Sequence, residues 1–531
     1  MDKEETKKTL LLDRWTIDGS RSTTYRIISK NVSEYNFIIP YKERVEVGEI
    51  FSIEDTSVED EMITFLARVT DILHDSNYEG NWDTTLRGTE FYDQDQIFNR
   101  VVAEPLGCII EDRFKKSRII PSKFSPVKRA EAGEFRFLSE VMGDIEVGLL
   151  RNGSRLVEEI PVALHSEAMD HHMGVFATTG MGKSNFMKVF AASCMKMATQ
   201  GRSKFGLLIV DPHGEYIKGK KGTKGLFDLD RYRKGLICYS TDPGHLKDPE
   251  VSELTVAITE IRPADIAVLY DWTPAQREAL EAVSRVFYED TWLDDIQTPE
   301  GTAQMISDGF HEKTIGRINR TIRTILDKNR YIHQKRSSVP GIISRLLKGD
   351  VVLVDVPQLS ERSELFLLSL LSRQILDRYK REASEGEGKS CLITIEEAQR
   401  VLSGGEGSLA RFESIAREGR KFGVGLCAVT QQPKLIDKQL LSQFNTFVIL
   451  GLADRNDRTR LEESAKQDLS SLDVEIQTLE KGEAIISTLK IPFPVPARIH
   501  LYERYLEELN KEKTSKRSLL GDMDCSLKPE Y

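Results

Sequence analysis

Residues 177–185 read ATTGMGKSN, and no other stretch of the 531-residue chain restricts its fold as tightly. Gly180 and Gly182 have no Cβ, so the backbone between them can curl and turn its N–H groups toward phosphate oxygens. Lys183 can then reach the β- and γ-phosphates, and Ser184 can bind Mg2+. Thr178, Thr179, Gly180, Met181, Gly182, Lys183, Ser184 and Asn185 are therefore the candidate nucleotide-binding loop. Ala177 stands where such loops usually begin with glycine, but it falls at a strand end, where a methyl group costs little on extended backbone. The flanks fit as well: MGVFA (Met173–Ala177) reads as a short buried strand, and NFMKVFAASCMKMA (Asn185–Ala198) carries apolar residues at helical spacing without proline.

The segments around this loop extend the pattern. From about residue 161 the runs FGLLIV, GLICYS, DVVLVDV, SCLITIEEA, VGLCAVTQQP and TFVILGL alternate with helical stretches. That alternation predicts a largely parallel sheet with helices on both faces. Between about 245 and 345 we read no strand, and TPAQREALEAVSRVFYED and TIGRINRTIRTILDKNRYI predict a helical insertion. Residues 1–160 instead carry short β-runs separated by Gly, Asn and Asp turns, DIEVGLLR being the last of them, and read as a small β-barrel. Residues 161–508 would then be the α/β domain and 509–531 a polar tail.

Three apolar runs end in carboxylates that could orient Mg2+: at Asp211, at Asp355, and at Glu396 with Glu397. Hydrolysis by water calls for two acids, one on the metal's hydration shell and one polarising the water, and the Glu pair fits both tasks. The next strand ends in TQQP, placing Thr430 and Gln431 where a polar side chain can sense a γ-phosphate. Asp211 opens DPHGEY at a strand's C-terminal edge, the edge where ligands of open α/β sheets bind, and is a further candidate, or else it caps a Pro-Gly turn there. AREGRKFG puts Arg417, Arg420 and Lys421 near one face of a helix end, fit for dipole compensation or for an arginine finger. YIKGKKGTKG places Lys218, Lys220, Lys221 and Lys224 in a glycine-rich loop on a chain of formal net charge −10. With a sequence pI near 5.6, contact with nucleic acid has to be local, and this loop is either a solvated surface hairpin whose lysines maintain solubility or the candidate DNA contact.

Six scattered cysteines without a C-x-x-C argue against a disulfide framework or a zinc site. The charged N-terminus has no apolar signal region and no apolar run is long enough to span a bilayer, so an intracellular, cytoplasmic protein is expected.

Taken in order behind a β-barrel, ATTGMGKSN, DPHGEY, IEEAQ, IAREGRKFGVG and TQQP resemble the HerA family of DNA translocases, in the HerA/FtsK branch of P-loop ATPases. The resemblance spans nearly the whole chain and includes IPFPVPARIHLY near the C-terminus. It implies an α/β chain: a RecA-like P-loop ATPase domain with a helical insertion, preceded by an N-terminal small β-barrel. It implies ATP and Mg2+ as cofactors, a homo-hexameric ring, double-stranded DNA as the track, and a NurA-like nuclease or another effector as partner, with no membrane association. By the same likeness Lys183 and Ser184 bind the phosphates and Mg2+, Glu397 is the catalytic acid, Gln431 is the sensor, and Arg417 or Arg420 is a finger acting in trans; Glu396, as the other acid of the pair, is left for the metal. Gln399 and Gln432 depart from the family's frequent EEAH and QRP. Related rings also serve anti-phage defence or conjugation and secretion, and a nucleotide-locked scaffold for a nuclease is a further alternative. We find no nuclease cluster in this chain, so cutting falls to a partner.

Overall fold

A computed structural model describes residues 25–56, 62–76, 97–219, 222–270, 272–385, 388–403 and 409–512. The first seven strands are β1 (Tyr25–Lys30), β2 (Tyr35–Pro40), β3 (Ile50–Asp55), β4 (Ile63–Ser76), β5 (Ile97–Ile110), β6 (Arg113–Lys115) and β7 (Pro126–Arg129). They pair antiparallel in the order β2-β1-β7-β3-β4-β5-β6, and β2 also pairs with β5, which closes six of them into a barrel with β6 on the rim. Alternation supplies the filling: Tyr25, Ile27, Phe37, Ile39, Phe51, Ile53, Phe65 and Val101 point inward and form one buried cluster.

The remaining strands are β8 (Ile145–Asn152), β9 (Arg155–Leu164), β10 (His172–Phe176), β11 (Phe205–Asp211), β12 (Leu236–Ser240), β13 (Val251–Glu253), β14 (Val256–Ala257), β15 (Ile332–His333), β16 (Val351–Asp355), β17 (Ser390–Ile395), β18 (Val424–Thr430), β19 (Phe444–Ile449), β20 (Glu483–Thr488) and β21 (Val495–Ile499). Twelve of them form one sheet in the order β13-β12-β16-β11-β17-β18-β10-β19-β20-β21-β8-β9. From β13 to β19 the pairings are parallel, and from β19 to β9 they are antiparallel.

Two expectations change. The run DIEVGLLR is not a barrel strand; it is β8, held in the large sheet by β21 and β9. Its partner β21 lies some 350 residues downstream, so a reading of local pattern could not assign it. The region 245–345 is also not free of strands: β13 extends the edge of the sheet, and β14 pairs with β15 across the insertion. These three strands have only two or three residues each, too few to establish a period.

Central strands are buried on both faces, as parallel strands covered by helices must be. Alternate residues therefore feed two cores. Leu208, Val210, Val352, Val354, Ile393 and Ile395 pack with the inserted helices and the helix Glu361–Glu385. Leu207, Ile209, Val351, Leu353 and Leu392 pack with the helix Lys183–Thr199 and the C-terminal helix Tyr502–Lys511. Within the insertion, Ile315, Ile318, Ile322 and Ile325 recur at intervals of three and four, so the helix Glu312–Lys328 presents one apolar stripe to the core. Thr273, followed by Pro274, caps the helix Pro274–Val286 and fixes its start.

Barrel and sheet are joined by buried polar contacts. The Asn152 side chain at the end of β8 accepts from Ile50 N–H at 2.5 Å and donates to the carbonyls of Ile50 at 3.0 Å and Ala130 at 2.9 Å. Arg68 of β4 is fully buried, donates to the Pro494 carbonyl and lies over the Phe493 ring. Arg151 pairs with buried Glu475 at 2.6 Å. Asn152→Ala removes the side-chain partner of the Ile50 N–H and the Ala130 carbonyl in a buried joint, while the Ile50 carbonyl keeps the Ala130 N–H, and we expect a cost of about 2–4 kcal/mol. Calorimetry should show the first thermal transition lowered; an unchanged transition would mean the joint is held elsewhere.

Candidate nucleotide site

β10 delivers the glycine loop to the C-terminal edge of the parallel sheet. Ala177 is fully buried and its N–H bonds the Thr430 carbonyl at 3.3 Å, so the residue continues the strand and its methyl group packs without conflict. Thr178 binds the Gly451 carbonyl through both N–H, at 3.1 Å, and hydroxyl, at 2.6 Å, and so anchors the loop on the far neighbour β19. Gly180 and Gly182 take φ of +86° and +109°. Open space surrounds the Gly180 Cα, so glycine is required there by the backbone torsion alone. The helix Lys183–Thr199 then begins with its first N–H groups lacking intrahelical partners, facing the loop.

Lys183 is the most telling residue. Its Nζ is buried, has no hydrogen-bond partner among the described residues, and meets only Glu397 Oε1 at 4.0 Å. Burial lowers its pKa, and the carboxylates of Glu397 and Glu396 oppose that shift. A glycine cradle with an orphaned buried ammonium fits a nucleotide phosphate group.

The acids follow directly on the end of β17, which is separated from β10 by β18. Glu397 has φ +46° and ψ +45°, a left-handed conformation rare outside glycine. Its Oε2 accepts from the Gln399 amide at 2.7 Å and its Oε1 from the Gln431 amide at 3.2 Å. Thr430 hydroxyl bonds Gln399, and Thr179 hydroxyl bonds Gln431, so the loop, β17 and β18 share one polar network. Burial opposes ionisation of Glu397, yet the Gln399 amide, Lys183 and the Gln431 amide together hold its carboxyl below the usual range. Glu396 is the reverse. Burial pushes its carboxyl up to about 7, against the Tyr216 hydrogen bond and Lys183. Tyr216 hydroxyl donates to its Oε1 at 2.6 Å.

Other expected residues divide between this cluster and elsewhere. Ser184 hydroxyl faces Glu215 Oε2 at 3.4 Å, beside the loop. The Asn185 side chain is turned away: it donates to the His500 carbonyl at 2.8 Å and accepts from Tyr502 N–H at 2.9 Å. Asp211 accepts from His213 N–H at 3.0 Å, Glu215 N–H at 2.7 Å and Tyr216 N–H at 2.9 Å, so both its oxygens are engaged in building the DPHGEY turn. Asp355 lies on β16, beyond β11, where it accepts from Ser240 at 2.5 Å and His245 Nδ1 at 2.8 Å, remote from the loop. Arg417 and Arg420 are exposed at the opposite edge of the sheet, just before β18 begins; the adjacent Ala416 carbonyl bonds His172 Nε2 at the start of β10. Seven residues of β18 separate the two edges, roughly 20 Å. Lys218 and Lys224 are exposed, whereas Lys220 and Lys221 lie outside the described residues.

Gln399, Tyr216 and Glu215 went unassigned in the sequence, although the first stands inside IEEAQ and the others inside DPHGEY. Their spacing to the acids was visible, but which oxygen each would meet was not.

A parallel α/β sheet with a glycine loop, a buried lysine at a helix N-terminus and an acid pair two strands away defines a P-loop ATPase with a RecA-like core. Residues 145–375 match the family model described as Helicase HerA, central domain. The chain is 27% identical to the DNA double-strand break repair helicase HerA of Saccharolobus solfataricus, over 83% of this chain and 85% of that protein. It is 24% identical to the probable helicase MJECL08 of Methanocaldococcus jannaschii, over 90% and 96%. The plasmid coupling protein TrwB in complex with ADP and Mg2+ aligns with a TM-score of 0.47 at 14% identity, over 70% and 93%. Residues 145–375 thus match the HerA central domain, and the chain is similar to HerA helicases over most of its length. Among the described residues no helix is long and apolar enough to cross a membrane.

The raised Glu396 carboxyl carries a pH signature. Folded Glu396 keeps its proton up to about 7, whereas an unfolded glutamate loses it near 4.5, so the folded state binds more protons between those values. This group's contribution to stability therefore falls as pH rises through that window. In nucleotide-free protein, the thermal midpoint of wild type should fall relative to Glu396→Gln between pH about 5 and about 7.5. Parallel curves would contradict the assignment.

Proposed function

We propose that this protein is an ATP-driven motor that moves on double-stranded DNA as a homo-hexameric ring, with nuclease chemistry supplied by a partner protein. The observation that carries the reading is the buried Lys183 ammonium, without a hydrogen-bond partner among the described residues and 4.0 Å from a carboxylate held between two glutamine amides. The names of the relatives, DNA double-strand break repair helicases, support the DNA track and the repair setting.

In this reading the N–H groups of Thr179, Gly180 and Gly182 and the Lys183 ammonium hold the phosphates of ATP. Ser184 and Glu396 would hold Mg2+, which when bound neutralises phosphate charge. Glu397, kept ionised by its neighbours, orients and deprotonates the attacking water, and Gln431, bonded to both Thr179 and Glu397, senses the γ-phosphate. Asp211 acts by shaping the turn that sets Tyr216 against Glu396.

The placement of the arginines supports ring assembly. Arg417 and Arg420 stand on the edge opposite their own loop, so either can reach a nucleotide only across a subunit boundary. Fingers of this kind contribute about 10³–10⁵ in rate. Rings mixed from inactive Lys183→Ala and inactive Arg417→Ala or Arg420→Ala subunits should regain part of the ATP turnover that neither parent has. No recovery in verified mixed rings would leave the arginines a cis, structural role.

The DNA contact is assigned to the loop bearing Lys218 and Lys224, together with Lys220 and Lys221. Linear duplex DNA should raise ATP turnover. Lys218→Gln with Lys224→Gln should weaken duplex binding without regard to sequence and reduce the slope of log affinity against log salt by roughly 0.9 per lysine. Turnover indifferent to duplex DNA would sink the motor reading, and an unchanged slope would move the contact to another segment.

A further inference from the structure

Lys188 is a buried cation that the nucleotide chemistry does not use. It sits on the helix Lys183–Thr199, is 7% exposed, and has no carboxylate within 4.0 Å among the described residues. Its Nζ donates to a single group, the Lys224 carbonyl, at 3.0 Å, and lies 5.9 Å from the Tyr502 ring centroid. Burying an ammonium on so little compensation is costly, so what it holds is informative.

What it holds is the neck of the basic loop. The chain leaves the DPHGEY turn at Tyr216 and Ile217 and returns at Gly225, Leu226 and Phe227. Leu226 N–H bonds the Tyr216 carbonyl at 2.7 Å and Phe227 N–H bonds the Ile217 carbonyl at 3.2 Å. A Cβ at Gly225 would fall 2.1 Å from the Ile217 carbonyl oxygen, so glycine is needed for the two strands of the neck to approach. Tyr502 hydroxyl donates to the Gly225 carbonyl at 2.8 Å from the other side.

Ser184 and Lys188 are four residues apart and so share one helix face. Along that face the same excursion is gripped twice, at Glu215 by the Ser184 hydroxyl at 3.4 Å and at Lys224 by Lys188. The Ser184 grip is the one that nucleotide changes, because a metal-bound nucleotide takes that hydroxyl. The Lys188 grip is untouched by the ligand and keeps the neck in register with the helix.

We propose that Lys188 is a positioning residue that clamps the neck of the basic loop to the phosphate-loop helix, so that occupancy at Ser184 is transmitted to Lys224. This rests on the reading of Lys183 and Ser184 as the nucleotide site. It needs no assumption about DNA.

Hydrogen exchange of residues 223–229, with and without Mg2+ and ATPγS on the full chain, tests it. In wild type the nucleotide should change exchange at the neck by about fivefold or more. Lys188→Met should bind ATPγS with affinity close to wild type and lose that difference, while Lys188→Arg, which keeps a long donor, should retain it. A merely structural lysine would give faster exchange in both states of Lys188→Met with the nucleotide-dependent difference intact, and that result overturns the proposal. So does a wild-type neck indifferent to nucleotide. Should the methionine variant not fold, Lys188→Gln, too short to reach the carbonyl, replaces it with the same expected loss. Failure of ATPγS to bind wild type would instead overturn the nucleotide site itself and the clamp with it, and binding is measured separately by titration.

Discussion

An ammonium buried without a hydrogen-bond partner is the constraint around which this site is organised. Removing a cation from water costs free energy unless charge and hydrogen bonds replace the lost solvent. At Lys183 the described residues offer only Glu397 at 4.0 Å, and the geometry that keeps the ammonium there is elaborate. Two left-handed glycines turn the chain, Thr178 pins the loop to β19, and Ala177 extends β10 beside β18. Glu397 in turn holds a left-handed backbone, a conformation that persists when its surroundings over-determine it. Its surroundings do: Gln399 and Gln431 take one carboxylate oxygen each, and Thr430 and Thr179 take the amide oxygens of those glutamines.

The order of strands explains why these groups meet. Insertion of β18 between β10 and β17 sets the paired acids two strands from the glycine loop and puts Thr430 and Gln431 between them. The sheet also divides the chain functionally. Its C-terminal edge gathers the loop, the acids and the DPHGEY turn, while its N-terminal edge carries Arg417 and Arg420 in the open. On the proposed reading, a ring places one subunit's arginine edge against the next subunit's nucleotide edge, and ATP is hydrolysed where two copies meet.

Much of this was legible in the sequence because the informative residues lie close together. Glycine and lysine at 180, 182 and 183 between an apolar run and a helical run specify strand, loop and helix with no reference to the rest of the chain. The parallel strands could be read from their uniform apolar character, and the helical insertion from its periodicity. What escaped depends on distant pairing or on torsion. β8 was grouped with the barrel because its partner β21 is far away in sequence. In sequence Asp211 reads equally as a site acid or as the cap of a turn, and the choice is decided by three N–H groups that only the folded turn directs at it. Nothing in IEEAQ announces that Glu397 is left-handed, or that Gln399 reaches back to it. Lys188 stands in plain view as a cation flanked by apolar residues of its helix, and its carbonyl partner could not be named without the neck.

On the proposed reading the charged, strained Glu397, and not its neighbours, activates water for attack on ATP. Nucleotide affinity and single-turnover hydrolysis of Glu397→Gln, beside Glu396→Gln and Asp211→Asn, test it most directly. We expect Glu397→Gln to bind ATP with affinity close to wild type and to fail to hydrolyse it. Hydrolysis at the wild-type rate by Glu397→Gln, with the reaction abolished in Asp211→Asn at undiminished ATP affinity, would contradict it.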